Sequence, residues 1–446
     1  MNTTAPKPVP KTAPPAAPNG LSRKPLRSEP STGYLYGWLL FVIFIDYARP
    51  SHQLPFLASI PFFYSVPPFL LFFITLFAPG LRSAQDIFAD KFTKWLLIFL
   101  GLVFLSYAML GFHASAADVF HRVFGYTVLF FMVARIATTP ERLMGVITTL
   151  VVAHLYILAF NFNVLTNPSQ RQYLVGAPFL GDGNDFALSI GLLFPAIIGV
   201  AQLARGKFGR LLAWSAAAVI PLSLVASQSR GATLGLAAVL AYLWWRSPKK
   251  MVAMVAIGVV GIGILAYAPA QYFNRMSSMT SAASTDSSAQ GRLQAWSGSV
   301  GMGVKSPLGI GIGQFGNKWG KTAHSTYFLA LGELGLPGFA CVLILVLGNI
   351  RTNNKLRKQL LAQVGADPPE EALRSLKLLD MINAALVFFA VTGAFLSATY
   401  YPHIYVLVGL LIAAREFARK RCEKPAGEGA AAPSKGPRPL KRMAHA

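Results

Sequence analysis

Three residues of this chain combine useful chemistry with a setting that could put it to work. Arg230 stands in Ser227-Gln-Ser-Arg-Gly-Ala232, Arg292 in Gln290-Gly-Arg-Leu-Gln-Ala-Trp296, and His324 in Ala323-His-Ser-Thr-Tyr327. Arg230 and His324 open apolar runs, and Arg292 begins an amphipathic one. A guanidinium presents a planar fork of donors that grips two oxygens of one anion together. An imidazole exchanges a proton near neutral pH. Two fixed cations and one such imidazole at one level suit transfer chemistry on a charged lipid head group. Each residue also has a plainer reading. Arg230 could be an anchor whose stem lies along the membrane interface, Arg292 a magnet for anionic lipid, and His324 a structural interfacial histidine.

Two further ionisable residues, His154 and Glu333, lie deep inside apolar runs, where charge is costly and usually functional. His154 reads as a satisfied hydrogen-bond partner between helices. Glu333 follows His324 by nine residues, and at ~100° per residue the two face opposite sides of a regular helix. They could meet only if Gly332 or Gly335-Leu-Pro-Gly338 deforms it. Glu333 therefore reads as structural or, with Tyr327, as a support for the reacting groups. Asp182-Gly-Asn-Asp185 would suit a divalent metal, but a helix N-cap by Asn184 or Asp185 is the simpler reading. Cys341 and Cys422 have no metal-like neighbours and suggest neither a disulfide nor a metal site.

The elements that must position these groups are membrane helices. Of the 446 residues, 54% are hydrophobic and 13% charged, against roughly 25% charged in soluble domains. Most of the surface therefore faces something other than water. Apolar runs occur at Tyr34–Tyr47, Phe62–Ala78, Trp95–Leu110, Val123–Ala134, Leu143–Phe160 and Phe186–Ala204. They continue at Leu211–Ala226, Ala232–Trp245, Met251–Ala268, Ser325–Ile350, Met381–Thr399 and Ile404–Ala414. The fold predicted from them is all-α, a polytopic transmembrane bundle of about twelve spans.

The net charge of +23 would suggest nucleic acid in a soluble protein. Here the basic residues alternate with the runs. They cluster at Arg82–Lys94, Arg135–Arg142, Arg205–Arg210, Arg246–Lys250, Arg351–Lys377 and beyond Arg415, while the intervening short loops hold little besides Arg49, Arg171 and Arg230. Positive charge stays cytoplasmic, so both termini are expected inside, and no nucleic-acid partner is implied. This gives a disordered, proline-rich cytoplasmic arm over 1–33, nine spans over 34–268, and a long external loop over 269–323. Three spans over 324–416 and a basic cytoplasmic tail over 417–446 complete it. In the long loop Leu293, Trp296, Val300 and Val304 recur at helical spacing, predicting an amphipathic helix on the membrane surface. Pro307-Leu-Gly-Ile-Gly-Ile-Gly313 reads as a flexible turn. No internal repeat is visible.

Taken in order, these segments resemble the O-antigen ligase family, which includes O-antigen polymerase-like proteins and exosortase-associated O-glycosylation ligases. The resemblance is carried by Ser227–Ala232, by Asp286–Trp296, by the Pro307–Gly313 turn, and by His324-Ser-Thr-Tyr with Gly332-Glu-Leu-Gly-Leu-Pro-Gly338. Asp182-Gly-Asn-Asp-Phe-Ala187 is similar to the exosortase-associated branch. The match covers roughly residues 180–345. It implies an inverting glycosyltransferase in the bacterial inner membrane, with its site facing the periplasm and no metal or cofactor. The donor would be a glycan on undecaprenyl pyrophosphate, and the acceptor a hydroxyl, of lipid A-core in the first instance. His324 would be the catalytic base, and Arg230 and Arg292 the pyrophosphate ligands.

The residues fit that chemistry. A pyrophosphate leaving group needs its growing charge stabilised, which arginine forks supply, and a neutral histidine can take the acceptor proton. The paired carboxylates of a retaining glycosidase are not visible. A polymerase or a protein O-glycosylation ligase would use a similar donor and site. A solute transporter or flippase would instead place ionisable groups near the midplane and often show inverted repeats.

Overall fold

The computed structural model describes residues 32–169, 174, 180, 182–277, 287–364 and 369–422. Most of the arm and the tail, Arg171, and residues 278–286 of the long loop, including Asp286, lie outside the described residues.

The described chain is a helical bundle. Its first half contains α1 (Gly33–Ala48), α2 (Val66–Phe77), α3 (Ala84–Ala89), α4 (Lys91–Met109), α5 (Ala114–Ile136), α6 (Pro140–Phe160), α7 (Asn163–Thr166), α8 (Gly183–Gly191), α9 (Leu193–Leu203) and α10 (Lys207–Ala226). Then come α11 (Arg230–Arg246), α12 (Lys250–Tyr267), α13 (Ala270–Ser277), α14 (Ser287–Lys305), α15 (Phe315–Trp319) and α16 (Thr326–Leu343). A π-helical turn at Ile344–Gly348 joins α16 to α17 (Asn349–Val364), followed by α18 (Glu370–Thr392) and α19 (Pro402–Cys422). Helices are the expected solution in lipid, because each satisfies its own backbone groups. Local signals set their starts. Asp90 and Thr139 cap α4 and α6 by accepting the N–H groups of Phe92 (2.8 Å) and Arg142 (3.2 Å), and Pro140 occupies the first turn of α6.

Each of the twelve apolar runs coincides over most of its length with a helix or with consecutive helices, although residues 62–65 and 393–399 lie outside any helix. Among the described residues eight helices are long and apolar enough to cross a membrane: α4, α5, α6, α8 with α9, α10, α12, α16 with α17, and α18. A count of twelve further requires α1, α2, α11 and α19 to cross. The protein is a multi-pass membrane protein. Helices α18 and α19 form its centre, packing on each other and on α11 and α5. At the periphery α12 buries none of its residues, and Phe77, Phe208 and Val255 are exposed apolar surface of the kind lipid covers.

The basic loops meet at one end of this bundle. Asp380 of α18 accepts from Arg246 of α11 at 3.1 Å and Arg357 of α17 at 2.5 Å. Arg415 of α19, itself buried, reaches Asn349 (2.8 Å), Asn353 (3.2 Å) and Asp90 (3.4 Å). Arg82 pairs with Glu416, and Arg142 donates to Thr32 at 2.7 Å. The opposite end is joined by other contacts. Ser106 accepts the N–H of Ile312 (2.9 Å), and Tyr401 donates to Asp185 (2.9 Å).

The long loop departs from expectation in two ways. First, α14 packs along α16 through Ala295 and Ser299, leaving Leu293, Val300 and Val304 exposed. Trp296 does not share that outer stripe but turns inward onto Phe328. Second, Pro307–Gly313 is a docked strap and not a loose turn. The N–H groups of Ile310 and Gly311 donate to the carbonyls of Gly332 (2.9 Å) and Glu333 (3.1 Å), and that of Leu336 donates to Pro307 (3.1 Å). Helix α16 is broken there at Gly335 (φ 66°, ψ −161°). A Cβ on Gly335 would lie 1.9 Å from the Pro307 carbonyl oxygen, and one on Gly309 2.2 Å from that of Glu333. Glycine is needed at both positions for the two backbones to touch.

Candidate active site

Arg230 is delivered by a tight reversal between α10 and α11. Ser227 Oγ accepts the N–H of Ser229 at 3.2 Å, and Gln228 takes a left-handed conformation, φ 51°. The Gln228 side chain is buried and donates to the carbonyl of Pro168 at 2.8 Å, tying the turn to the end of α7. Ser229 then caps α11 through the N–H of Ala232, so Arg230 is the helix's first residue. Its neighbour Gly231 leaves room for Phe395, whose Cβ lies 3.0 Å from where a Gly231 Cβ would stand.

The segment His324-Ser-Thr-Tyr327 divides its labour. Ser325 caps α16 by accepting the N–H of Phe328. Thr326 grips the α18–α19 connection. Its N–H donates to Gly393 O (2.8 Å), its hydroxyl donates to Leu396 O (2.7 Å) and accepts from Ala398 N–H (3.1 Å), and its carbonyl accepts from the Thr399 hydroxyl (2.8 Å). The Tyr327 hydroxyl donates to Ala390 O of α18 at 2.9 Å. His324 itself is half-buried and left-handed, φ 48°, a conformation uncommon outside glycine. The hydrogen bonds of Ser325, Thr326 and Tyr327 thus fix the chain on the helical side of His324.

Arg292 is half-buried on α14, one helical turn before Trp296. The Trp296 indole stacks on Phe328 (5.1 Å between centroids, 16°) and approaches Phe395 (6.4 Å). Its N–H donates to the carbonyl of Ala323 at 3.0 Å. The three motifs therefore converge on one aromatic cluster. Trp296 follows Arg292 by one turn, Phe328 follows His324 by four residues, and Phe395 abuts Gly231 beside Arg230. Helices α11 and α16 also begin here, so their positive dipole ends add to the guanidinium charge. Basic residues and helix N-termini gathered in this way can attract an anion.

Glu333 is buried near the strap. Its Oε1 accepts the N–H of Phe315 (2.9 Å) and its Oε2 the hydroxyl of Tyr400 (2.8 Å). The break at Gly335 falls after Glu333 and does not turn it toward His324. The carboxylate instead fastens the strap to the connection that Thr326 also grips.

The remaining sequence candidates have other roles. His154 lies buried between α6 and α8, its ring nitrogens against Leu150 O (2.7 Å) and Ser189 Oγ (2.6 Å). Helix α8 is capped by Asp182, which accepts the N–H of Asn184 at 2.9 Å, and not by Asn184 or Asp185. The short side chain of Asp182 reaches the N–H two residues ahead, whereas Asn184 and Asp185 already lie within the first turn. Asp185 accepts from Tyr401, and burial, with that carboxylate beside it, pushes the phenol up so that it stays a donor. Among the described residues no three His, Cys, Asp or Glu side chains gather as a metal site. Gln228, Trp296 and Thr326 lie within the motifs singled out in the sequence but had no role in the site assigned to them there, and Phe395 lies outside all of those motifs. Only the placement of Trp296 four residues after Arg292 could have suggested a shared face.

Residues 214–343, from within α10 to the end of α16, match the family model described as O-antigen ligase. The matched stretch contains Arg230, Arg292, His324, Glu333 and the strap. No curated protein matches the chain.

Proposed function

We propose, from the premise that this membrane enzyme is O-antigen ligase-like, that it transfers a glycan from an undecaprenyl-pyrophosphate donor to an acceptor hydroxyl at the periplasmic face of the inner membrane. The observation that carries this reading is the convergence of the Arg230, Arg292 and His324 segments on Trp296, Phe328 and Phe395, at the end of the bundle away from the basic loops.

His324 takes the proton of the acceptor hydroxyl as its oxygen attacks the anomeric carbon. The bond from that carbon to the pyrophosphate oxygen breaks, and its electron pair leaves with the pyrophosphate. Arg230 and Arg292 stabilise that departing charge, helped by the α11 and α16 dipoles. A single displacement inverts the anomeric configuration. No step requires a metal. The acceptor we favour is lipid A-core; a growing polysaccharide or a protein serine or threonine would use the same chemistry.

The reading is tested by in vitro transfer. Purified protein receives undecaprenyl-pyrophosphate glycan together with lipid A-core, with a second donor molecule, or with a serine- and threonine-rich peptide. Product in the first arm supports the ligase, and product only in another arm reassigns the acceptor. No transfer in any arm, with active-site variants indistinguishable from wild type in donor binding, overturns the reading.

A further inference from the structure

We propose that Arg275 is a third guanidinium of the pyrophosphate site, delivered by α13. The inference rests on the reading of Arg230 as a pyrophosphate ligand and extends it to a residue that no sequence motif marks.

Helix α13 touches α11 through Tyr272. Tyr272 is buried, and its hydroxyl lies 3.2 Å from Thr233 Oγ1. The Thr233 proton is directed to Ser229 O at 3.0 Å, so Tyr272 is the donor in this contact. On α11, Thr233 follows Arg230 by three residues. On α13, Arg275 follows Tyr272 by three residues. Positions three apart are neighbours on one helix face, with Cβ atoms ~5–6 Å apart. The Tyr272–Thr233 bond therefore joins the face of α13 that carries Arg275 to the face of α11 that carries Arg230. Arg275 and Met276 are half-buried, whereas Phe273, Asn274 and Ser277 are exposed.

A pyrophosphate seated between two guanidiniums on adjoining faces is attracted by both. A pyrophosphate joined to lipid and sugar gains negative charge as the sugar leaves. Arg230 and Arg292 match the charge of the bound donor, and a third cation answers the increment.

The test is calorimetric binding of farnesyl pyrophosphate and farnesyl monophosphate to the full chain in detergent. Arg275→Gln is expected to weaken pyrophosphate binding about ten-fold, with a smaller effect on the monophosphate, as for loss of one charge-assisted contact. Tyr272→Phe should weaken it in the same sense by loosening α13. Lys305→Gln, at an exposed position on α14, should bind as wild type. If Arg275→Gln does not fold, Arg275→Lys decides: loss of the fork should still weaken the pyrophosphate several-fold, and wild-type affinity overturns the proposal. Wild-type affinity in a folded Arg275→Gln overturns it too, while loss of binding in Arg230→Gln and Arg292→Gln keeps the wider reading intact. Wild-type affinity in all of these variants overturns both.

Discussion

The indole N–H of Trp296 is bonded to the carbonyl of Ala323, the residue immediately before His324, at 3.0 Å. That bond crosses from the arginine-bearing helix α14 to the entry of α16, so the backbone leading into His324 is tied to the helix that carries Arg292.

Trp296→Phe keeps a ring on Phe328 but deletes the donor to Ala323. Losing a hydrogen bond worth ~1 kcal/mol should leave His324 aligned several-fold less often. Turnover is expected to fall by about that factor with the KM for donor unchanged. An unchanged turnover would show that His324 is held without this bond.

For the arginines, Arg230→Lys and Arg292→Lys retain the charge and lose the fork. Transfer should drop by the equivalent of ~2–4 kcal/mol of transition-state stabilisation in each. If both are only interfacial anchors, lysine will serve as well, and wild-type rates in both variants reject the clamp.

His324→Ala and His324→Gln should each lose transfer by roughly 100-fold or more, with insertion and donor binding preserved because the residue is not packed in the core. Transfer by wild type, followed from pH 5 to 9, should decline toward acid pH, because a protonated imidazole cannot take the acceptor proton. His154→Gln serves as the internal comparison. It removes a buried contact to Ser189 and should lower thermal stability without moving the pH profile. A folded His324→Ala protein with most of its activity would exclude the base.

Gly335→Ala forces a Cβ against Pro307 O and a side chain into φ 66°. A loss of at least ~2–3 kcal/mol is expected, read as a fall in melting temperature in detergent. Gly101→Ala, in α4 with open space around it, should melt no lower than wild type. Equal behaviour of the two variants would mean the strap is not docked as described.

Topology is accessible to thiol labelling, since Cys341 and Cys422 are both buried. An impermeant reagent on intact spheroplasts should modify Lys318→Cys, on α15, and spare Lys358→Cys, on α17, both exposed positions. The reverse pattern would invert the protein.

The sequence made the helices legible because lipid demands long apolar runs, and made their alternation legible because the basic loops carry it. Helix α19 was underestimated. Only Ile404–Ala414 reads as apolar, yet the helix continues to Cys422 because Asp90, Asn349 and Asn353 satisfy the buried Arg415. The strap was misread for a similar reason. Its glycines signal freedom to any local reading, whereas their partners are Gly332–Leu336, some twenty residues on, and no local pattern reports that pairing. The roles of Thr326 and Phe395 depend on the α18–α19 connection and were equally invisible.

Asp380 and Arg415 clasp the bundle at its basic end. Parting α11, α17, α18 and α19 at their basic end would strip Asp380 of two arginines and leave Arg415 buried without its partners, a penalty of several kcal/mol for each stranded charge. At the other end the connection between α18 and α19 is held by hydrogen bonds to Thr326, Glu333 and Asp185, each worth about 1–3 kcal/mol. The two ends of the bundle therefore differ in stiffness, and the basic end is the costlier one to part.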